Sequence, residues 1–198
     1  MSGPSDVRFE VVSVAHNAAL DDLFARADVA CHCRYWHFTG DKNAWLDRCF
    51  HAPADNAREF HEDLERSPEL HGMVALSGER VVGWLKLSPA ERVQKLYDQR
   101  LYRGLPCFQG DRAGTYSVGC VLVDPDWRRR GVAQGLLRAG VEHCRALGAR
   151  QIEAFPRRGE LLGDPEMWLG PFTIFERAGF DVVNDFGPYP VLRLALEA

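Results

Sequence analysis

The stretch VLVDPDWRRRGVAQGLL, Val121 to Leu137, reads as an apolar strand that turns through three arginines into a helix. Pro125 ends the strand, because proline cannot donate to a sheet ladder and is confined to edges and ends. From Val132 the residues Leu136, Leu137, Ala139, Val141, Cys144 and Leu147 follow at helical spacing, and Gly148 stands where a left-handed C-cap is expected. The first amides of such a helix have no internal partners, and its dipole adds about half a positive charge there. Arg128, Arg129, Arg130 and the side-chain-free Gly131 precede them, so a phosphate can reach the backbone among full charges. A pyrophosphate suits this turn. An isolated charge run usually means only a solvated basic turn, but strand, triplet, glycine and helix in that order favour the anion site.

Other phosphate-binding classes fit poorly. No G-x-G-x-x-G is present and no Walker lysine follows the glycine. Nucleic acid is disfavoured as a partner, since the chain carries a net charge of -4 and one basic turn is not an extended basic face.

Arg128-x-x-Gly131-x-Ala133 resembles the R/Q-x-x-G-x-G/A signature of the GNAT acyltransferase superfamily, in the right place between a strand and a helix. The resemblance implies that the backbone amides of this loop bind the pyrophosphate of acetyl-CoA and that the preceding strand pairs with the pantetheine arm. Val121, Leu122, Val123, Arg128, Arg129, Arg130, Gly131, Val132, Ala133 and Gln134 are then the residues expected to bind acetyl-CoA as co-substrate. It also implies the fold, an α/β mixed sheet that is mostly antiparallel, with one parallel crossover and flanking helices.

The rest of the chain is consistent with that order of elements. A length of 198 residues with 46% hydrophobic content suggests one globular domain over 1–198. Its parts are an N-terminal half (6–87), a helical insertion and loop (88–114) and an acetyl-CoA-binding half (115–198). No apolar run approaches a membrane span, and MSGPSDVRF lacks the pattern of a signal peptide, so a cytoplasmic protein with no membrane partner is expected. Val7 to Val14 reads as a first strand, with Asn17 as N-cap of a helix carrying Leu20, Leu23 and Phe24. A polar helix spans Asp55 to Arg66, closed by Ser67 and Pro68. Met73 to Leu76 and Val81 to Leu87 form a hairpin. Ser88-Pro89-Ala90-Glu91 resembles a capping box for a helix that continues through Leu101 and ends at Gly104. A loop follows, then a strand from Thr115 to Val123. After the organising helix come a strand Arg150 to Phe155, a short helix begun by Gly170-Pro171 and capped by Gly179, and strands Phe180 to Val183 and Val191 to Leu196.

The stretch from Ala27 to His51 gathers Cys31, Cys33, Trp36, His37, Trp45, Cys49 and His51. Four of these could ligate a metal, but the spacing is not that of a standard finger and free cysteines are commonly buried. Packing is the preferred reading, and no metal is expected. Cys33, Trp36, His37 and Trp84 are candidates to line the acceptor site, because the resemblance places that site between the early helices and the central strands. The acceptor is expected to be a small-molecule or peptide amine, and the protein a monomer or homodimer.

Acyl transfer to an amine needs a deprotonated nitrogen, a polarised carbonyl and a proton for the leaving thiolate. The family often supplies a glutamate as base and a tyrosine as acid. The corresponding positions here are Ser117 and Phe175, and neither can do that work alone. Ser117, by ordering a water, and Cys120 are the candidate catalytic residues, Cys120 with the alternative of a buried strand cysteine. Two functions follow: an N-acetyltransferase working by direct attack in a ternary complex, or a non-catalytic acyl-CoA-binding or regulatory module.

Overall fold

The computed structural model describes residues 7–67, 72–159, 162–163 and 166–196. β1 (Val7–Val11) pairs antiparallel with β2 (Gly72–Ser77), which turns tightly into β3 (Arg80–Pro89). β4 (Thr115–Val123) adds antiparallel to β3. The chain then crosses through a helix, α5 (Val132–Ala146), and returns as β5 (Gln151–Ala154), parallel to β4. β7 (Val191–Ala195) lies antiparallel between β5 and β6 (Asp181–Asn184). The described residues thus form a seven-stranded sheet in the order β1-β2-β3-β4-β5-β7-β6. This is the mostly antiparallel mixed sheet with one parallel crossover that the sequence implies.

Among the described residues, five further α-helices complete the layers: α1 (Asn17–Arg26), α2 (Lys42–His51), α3 (Pro53–Arg66), α4 (Gln94–Tyr97) and α6 (Phe172–Arg177). On one face of the sheet, Val132, Leu136, Leu137 and Val141 of α5 pack on Met73, Leu85 and Leu87. On the other, Leu20, Leu23 and Phe24 of α1 and Phe60 and Leu64 of α3 cover Val74, Val81 and Trp84. β3 is buried from Val81 to Pro89, which explains why VVGWLKL shows no clean alternation. A third cluster joins Trp36, Leu96, Tyr97, Tyr102 and Phe155 beside the β4–β5 pair.

Several local expectations are corrected. β1 stops at Val11, and Val14–His16 forms a 3-10 turn in which the His16 ring accepts the Ser13 amide at 2.9 Å. Asn17 therefore lies inside α1 rather than capping it. α2 was not expected from its composition, but Asp41 caps it by accepting the Ala44 amide at 2.9 Å. α3 begins at Pro53, where a missing amide costs nothing at a first helical position. Pro68 lies outside the described residues. The helix expected from Ser88 to Leu101 shrinks to a 3-10 turn and α4, because Ser88 and Pro89 stay in the sheet opposite Ser117 and Tyr116.

Candidate functional site

β4 has strand neighbours on both sides only at its start, where Thr115–Ser117 lie beside Gln151–Glu153. Beyond Ser117, β5 leaves it, and the edge from Val118 to Val123 loses its strand partner. On the β3 side the register breaks at the same level: Lys86 faces Cys120 and Leu87 faces Val118, which makes Gly119 an extra residue in β4. Such a bulge bends a strand and re-aims its side chains. On the open edge, the Val121 amide donates to the Trp168 carbonyl at 2.9 Å.

The far end of β4 is pinned by Asp124. The residue is 1% exposed, and its carboxylate accepts from Arg26 Nε and Arg80 Nη2, both at 2.8 Å, and from the Asp126 amide at 3.1 Å. Burial alone pushes this carboxyl up, but the hydrogen bonds from Arg80, Arg26 and Asp126 together hold it below its ordinary value. From this anchor the chain enters the arginine turn. Arg129 and Gly131 hold φ of 61° and 80°, both left-handed, and such a turn directs successive amides toward one concavity. Arg128 turns back, its Nε donating to the Val123 carbonyl at 3.4 Å, while Arg129 and Arg130 stay exposed, the latter 5.2 Å from the Trp127 ring centroid. Among the described residues, no heavy atom beyond its chain neighbours lies within 4 Å of where a Cβ on Gly131 would stand. A groove of about 520 Å3 begins here and is lined by Arg130, Gly131, Gln134, Arg138 and Arg177 among others. Gln134 Oε1 is buried there without a hydrogen-bond partner among the described residues. A concave turn of amides at a helix start, four nearby arginine or glutamine side chains and an unmatched amide group suit an elongated phosphorylated ligand.

The candidate catalytic residues sit at the other end of β4. Ser117 is fully buried and its hydroxyl donates to the Tyr97 hydroxyl at 2.5 Å. Tyr97 in turn donates to Glu153 at 2.8 Å, and Glu153 accepts from Arg112 and Arg193, each at 2.6 Å. Burial, and after it the charge of Glu153, push the Tyr97 hydroxyl far above its ordinary value. One carboxylate thus faces two guanidinium groups, and Ser117 is committed to this network. Phe175 is fully buried on α6, edge-on to Phe180 at 5.3 Å.

Cys120 lies on the opposite side of the bulge, packed with Cys33 and Trp84 in the core beneath α1 and α3. Burial pushes the Cys33 thiol well above its ordinary value. Of the acceptor candidates, Cys33 and Trp84 therefore come together, whereas Trp36 joins the cluster around Tyr97 and stacks on Trp168 at 5.6 Å. His37 is half-buried beside Trp36 in the same 3-10 turn. Among the described residues, no group of three or more His, Cys, Asp or Glu is arranged to hold a metal. Among the buried polar residues that escaped the sequence reading are Lys86, Tyr97 and Glu153. The available signal was a lone charge in each of two apolar strands, WLKL and QIEAF.

A strand that loses its neighbour and then feeds an arginine-flanked helix start has the architecture of a CoA-dependent acyltransferase. The profile of the acetyltransferase (GNAT) family matches residues 31–159, and the chain belongs to that family. The fold is shared with the PaiA N-acetyltransferase of Thermoplasma acidophilum, solved in complex with coenzyme A, at 12% identity and a TM-score of 0.57, over 99% of this chain and 100% of that one. It is shared with an N-acetyltransferase of Staphylococcus aureus Mu50 at 14% identity and a TM-score of 0.57, over 97% and 99% of the two chains. YncA of Salmonella typhimurium, solved with its cofactor acetyl-CoA, is similar at 15% identity and a TM-score of 0.55, over 97% and 95%. No curated protein matches the chain at the level of sequence.

Proposed function

We propose that the chain transfers an acetyl group from acetyl-CoA to the nitrogen of an amine acceptor, a small molecule or a peptide, by direct attack in a ternary complex. The observation that carries this reading is the left-handed pair Arg129 and Gly131 at the start of α5, open on its concave side and continuous with a groove lined by arginines. The amides of Val132, Ala133 and Gln134 hold the pyrophosphate, with Arg128, Arg129 and Arg130 around it. Val121, Leu122 and Val123 offer their open edge to the pantetheine arm, which takes the Val121 amide over from the Trp168 carbonyl. Cys33, Trp36, His37 and Trp84 line the acceptor side. A cytoplasmic location belongs to the same reading and is supported by six free thiols; no helix of the described residues is long and apolar enough to cross a membrane.

The test is the double substitution Arg129→Glu, Arg130→Glu. Charge-assisted hydrogen bonds contribute about 1.5–3 kcal/mol each, so acetyl-CoA affinity measured by calorimetry should fall at least tenfold. Unchanged affinity would sink the placement of the pyrophosphate. The second reading, a non-catalytic acyl-CoA-binding module, is favoured by the commitment of Ser117 to Tyr97 and by the unreactive Phe175. Amine-stimulated release of CoA, followed with a thiol reagent over a panel of amines, separates the two. Cys120 receives no covalent role: an acyl adduct on it after incubation with acetyl-CoA would replace direct attack by a two-step route.

A further inference from the structure

Lys86 leaves β3 at the register break, and its stem crosses Gly119, where an added Cβ would stand 3.5 Å from both Lys86 Cγ and Cδ. The lysine stem therefore lies along β4 at the bulge, within ordinary contact distance of that position. Its Nζ is buried without a hydrogen-bond partner among the described residues and sits 6.0 Å from the Phe60 ring centroid. The titratable and charged groups around it are Cys33 and Arg34 from the loop after α1, Asp63 from α3 and Cys120 from β4. Asp63 is engaged by Arg34 at 2.6 Å, and Arg34 also lies 3.7 Å from Glu59. Burial keeps the Cys33 thiol protonated. Lys86 is therefore a cation without a counter-ion of its own, an arrangement that disfavours the charged form.

The geometry points to Lys86 as the catalytic base of the acetyl transfer, taking the proton that the acceptor's ammonium must lose. This rests on the acetyltransferase reading above. Lys86 stands at the level where β4 loses β5, on the face that carries Cys33 and Trp84. The carboxylate expected nearby is replaced by Ser117, whose hydroxyl is already engaged. Desolvation lowers Lys86 to about 8, so a useful fraction of neutral amine is present near neutral pH. Phe60 and Asp63 of α3 flank Nζ on one side and the Cys33–Arg34 loop on another, and that loop holds His32 and Cys33 at φ of 42° and 52°, a left-handed conformation of the kind that clusters at functional sites. The acceptor enters by displacing that loop.

The step balances. The acceptor R–NH3+ gives one proton to the lone pair of Nζ, and the freed amine attacks the thioester carbonyl carbon. The carbon–sulfur bond breaks with its electrons leaving on sulfur, and the second surplus proton of the new C–N adduct passes to that thiolate. Lys86 returns its proton to solvent, leaving an amide, CoA thiol and one released proton.

Lys86→Met and Lys86→Arg test the role. Removing an unpaired buried charge, Lys86→Met should keep or raise Tm and leave acetyl-CoA affinity unchanged, while kcat/KM for the amine falls roughly 100- to 10,000-fold. Lys86→Arg keeps the charge but cannot surrender it, and should be as inactive. Activity within threefold of wild type in either variant, or an active arginine variant beside an inactive methionine one, overturns the proposal. Titration of isotope-labelled Lys86 by NMR in the wild-type protein needs no variant: a midpoint near 8 supports the role and one above about 10 rejects it. If wild-type protein binds acetyl-CoA but releases no CoA with any amine, the transferase reading itself has failed, which is distinct from normal turnover that survives the loss of Lys86.

Discussion

Arg129 and Gly131 occupy the same left-handed region, at φ of 61° and 80°, but one of them carries a Cβ. That conformation costs a side-chain-bearing residue about 1–2 kcal/mol, so Arg129 already holds strain at the turn, as residues at ligand sites often do. Gly131→Ala adds a second strained residue without any clash, since its Cβ meets nothing within 4 Å. Stability in denaturant should fall by about 1 kcal/mol with an unchanged slope. Acetyl-CoA affinity should fall by much more than that, at least tenfold, because with the pyrophosphate where we propose it the methyl would occupy the face it approaches. A stability loss with intact affinity would show that the phosphate does not sit over Gly131. Single residues differ in how far they can be read from sequence. Gly131 has its meaning set by immediate neighbours, whereas Glu153 acquires its meaning from Arg112 and Arg193, 41 and 40 residues away.

At the scale of elements, Asp124 couples three segments: β4, whose end it follows, α1 through Arg26, and the β2–β3 hairpin through Arg80. It also starts the Pro125–Trp127 turn that leads to the arginines. Its folded carboxyl lies below the ordinary value of 3.8. A carboxyl that is depressed in the folded state binds fewer protons there than when unfolded, so its contribution is fully present above about pH 5. That contribution fades as pH falls through 3.8 toward the lower folded value. Asp124→Asn should therefore lose about 1–3 kcal/mol at pH 7, and the gap to wild type should narrow as the pH is lowered from 5 to 2, followed by thermal melts. A gap that stays constant would mean that shape rather than charge holds this junction. Elements with a local cause were legible: β4 was expected from Thr115 to Val123 and is found there, and α5 starts at Val132 as its spacing requires. The elements misjudged were those set by distant partners. Pro89 looked like a first helical residue, yet it stays in β3 because Tyr116 pairs with it.

For the molecule as a whole, the two halves of the sheet meet at β4 and β5 over three residue pairs, so something must hold β5 in place while leaving the rest of β4 open. The fully buried Glu153 does this. It ties β5 to β7 through Arg193, to the loop before β4 through Arg112, and to α4 and β4 through Tyr97 and Ser117. The aromatic cluster of Tyr97, Phe108 and Phe155 packs around it, with Arg112 lying 4.6 Å from the Tyr97 ring centroid. Removing one partner of a buried ion pair typically costs about 3–5 kcal/mol, because the other charges stay behind. Glu153→Gln should approach that loss, somewhat reduced because Arg112 and Arg193 each keep 22% of their side-chain surface in solvent. Against a total stability of about 5–15 kcal/mol, the variant should melt well below wild type yet fold at low temperature. There it should keep the wild-type pH profile of amine acetylation, since Glu153 holds the geometry and Lys86 handles the proton. A pH profile that loses its rising limb in Glu153→Gln, with acetyl-CoA affinity intact, would reverse that division and make the carboxylate, acting through Tyr97 and Ser117, the group that accepts the acceptor's proton.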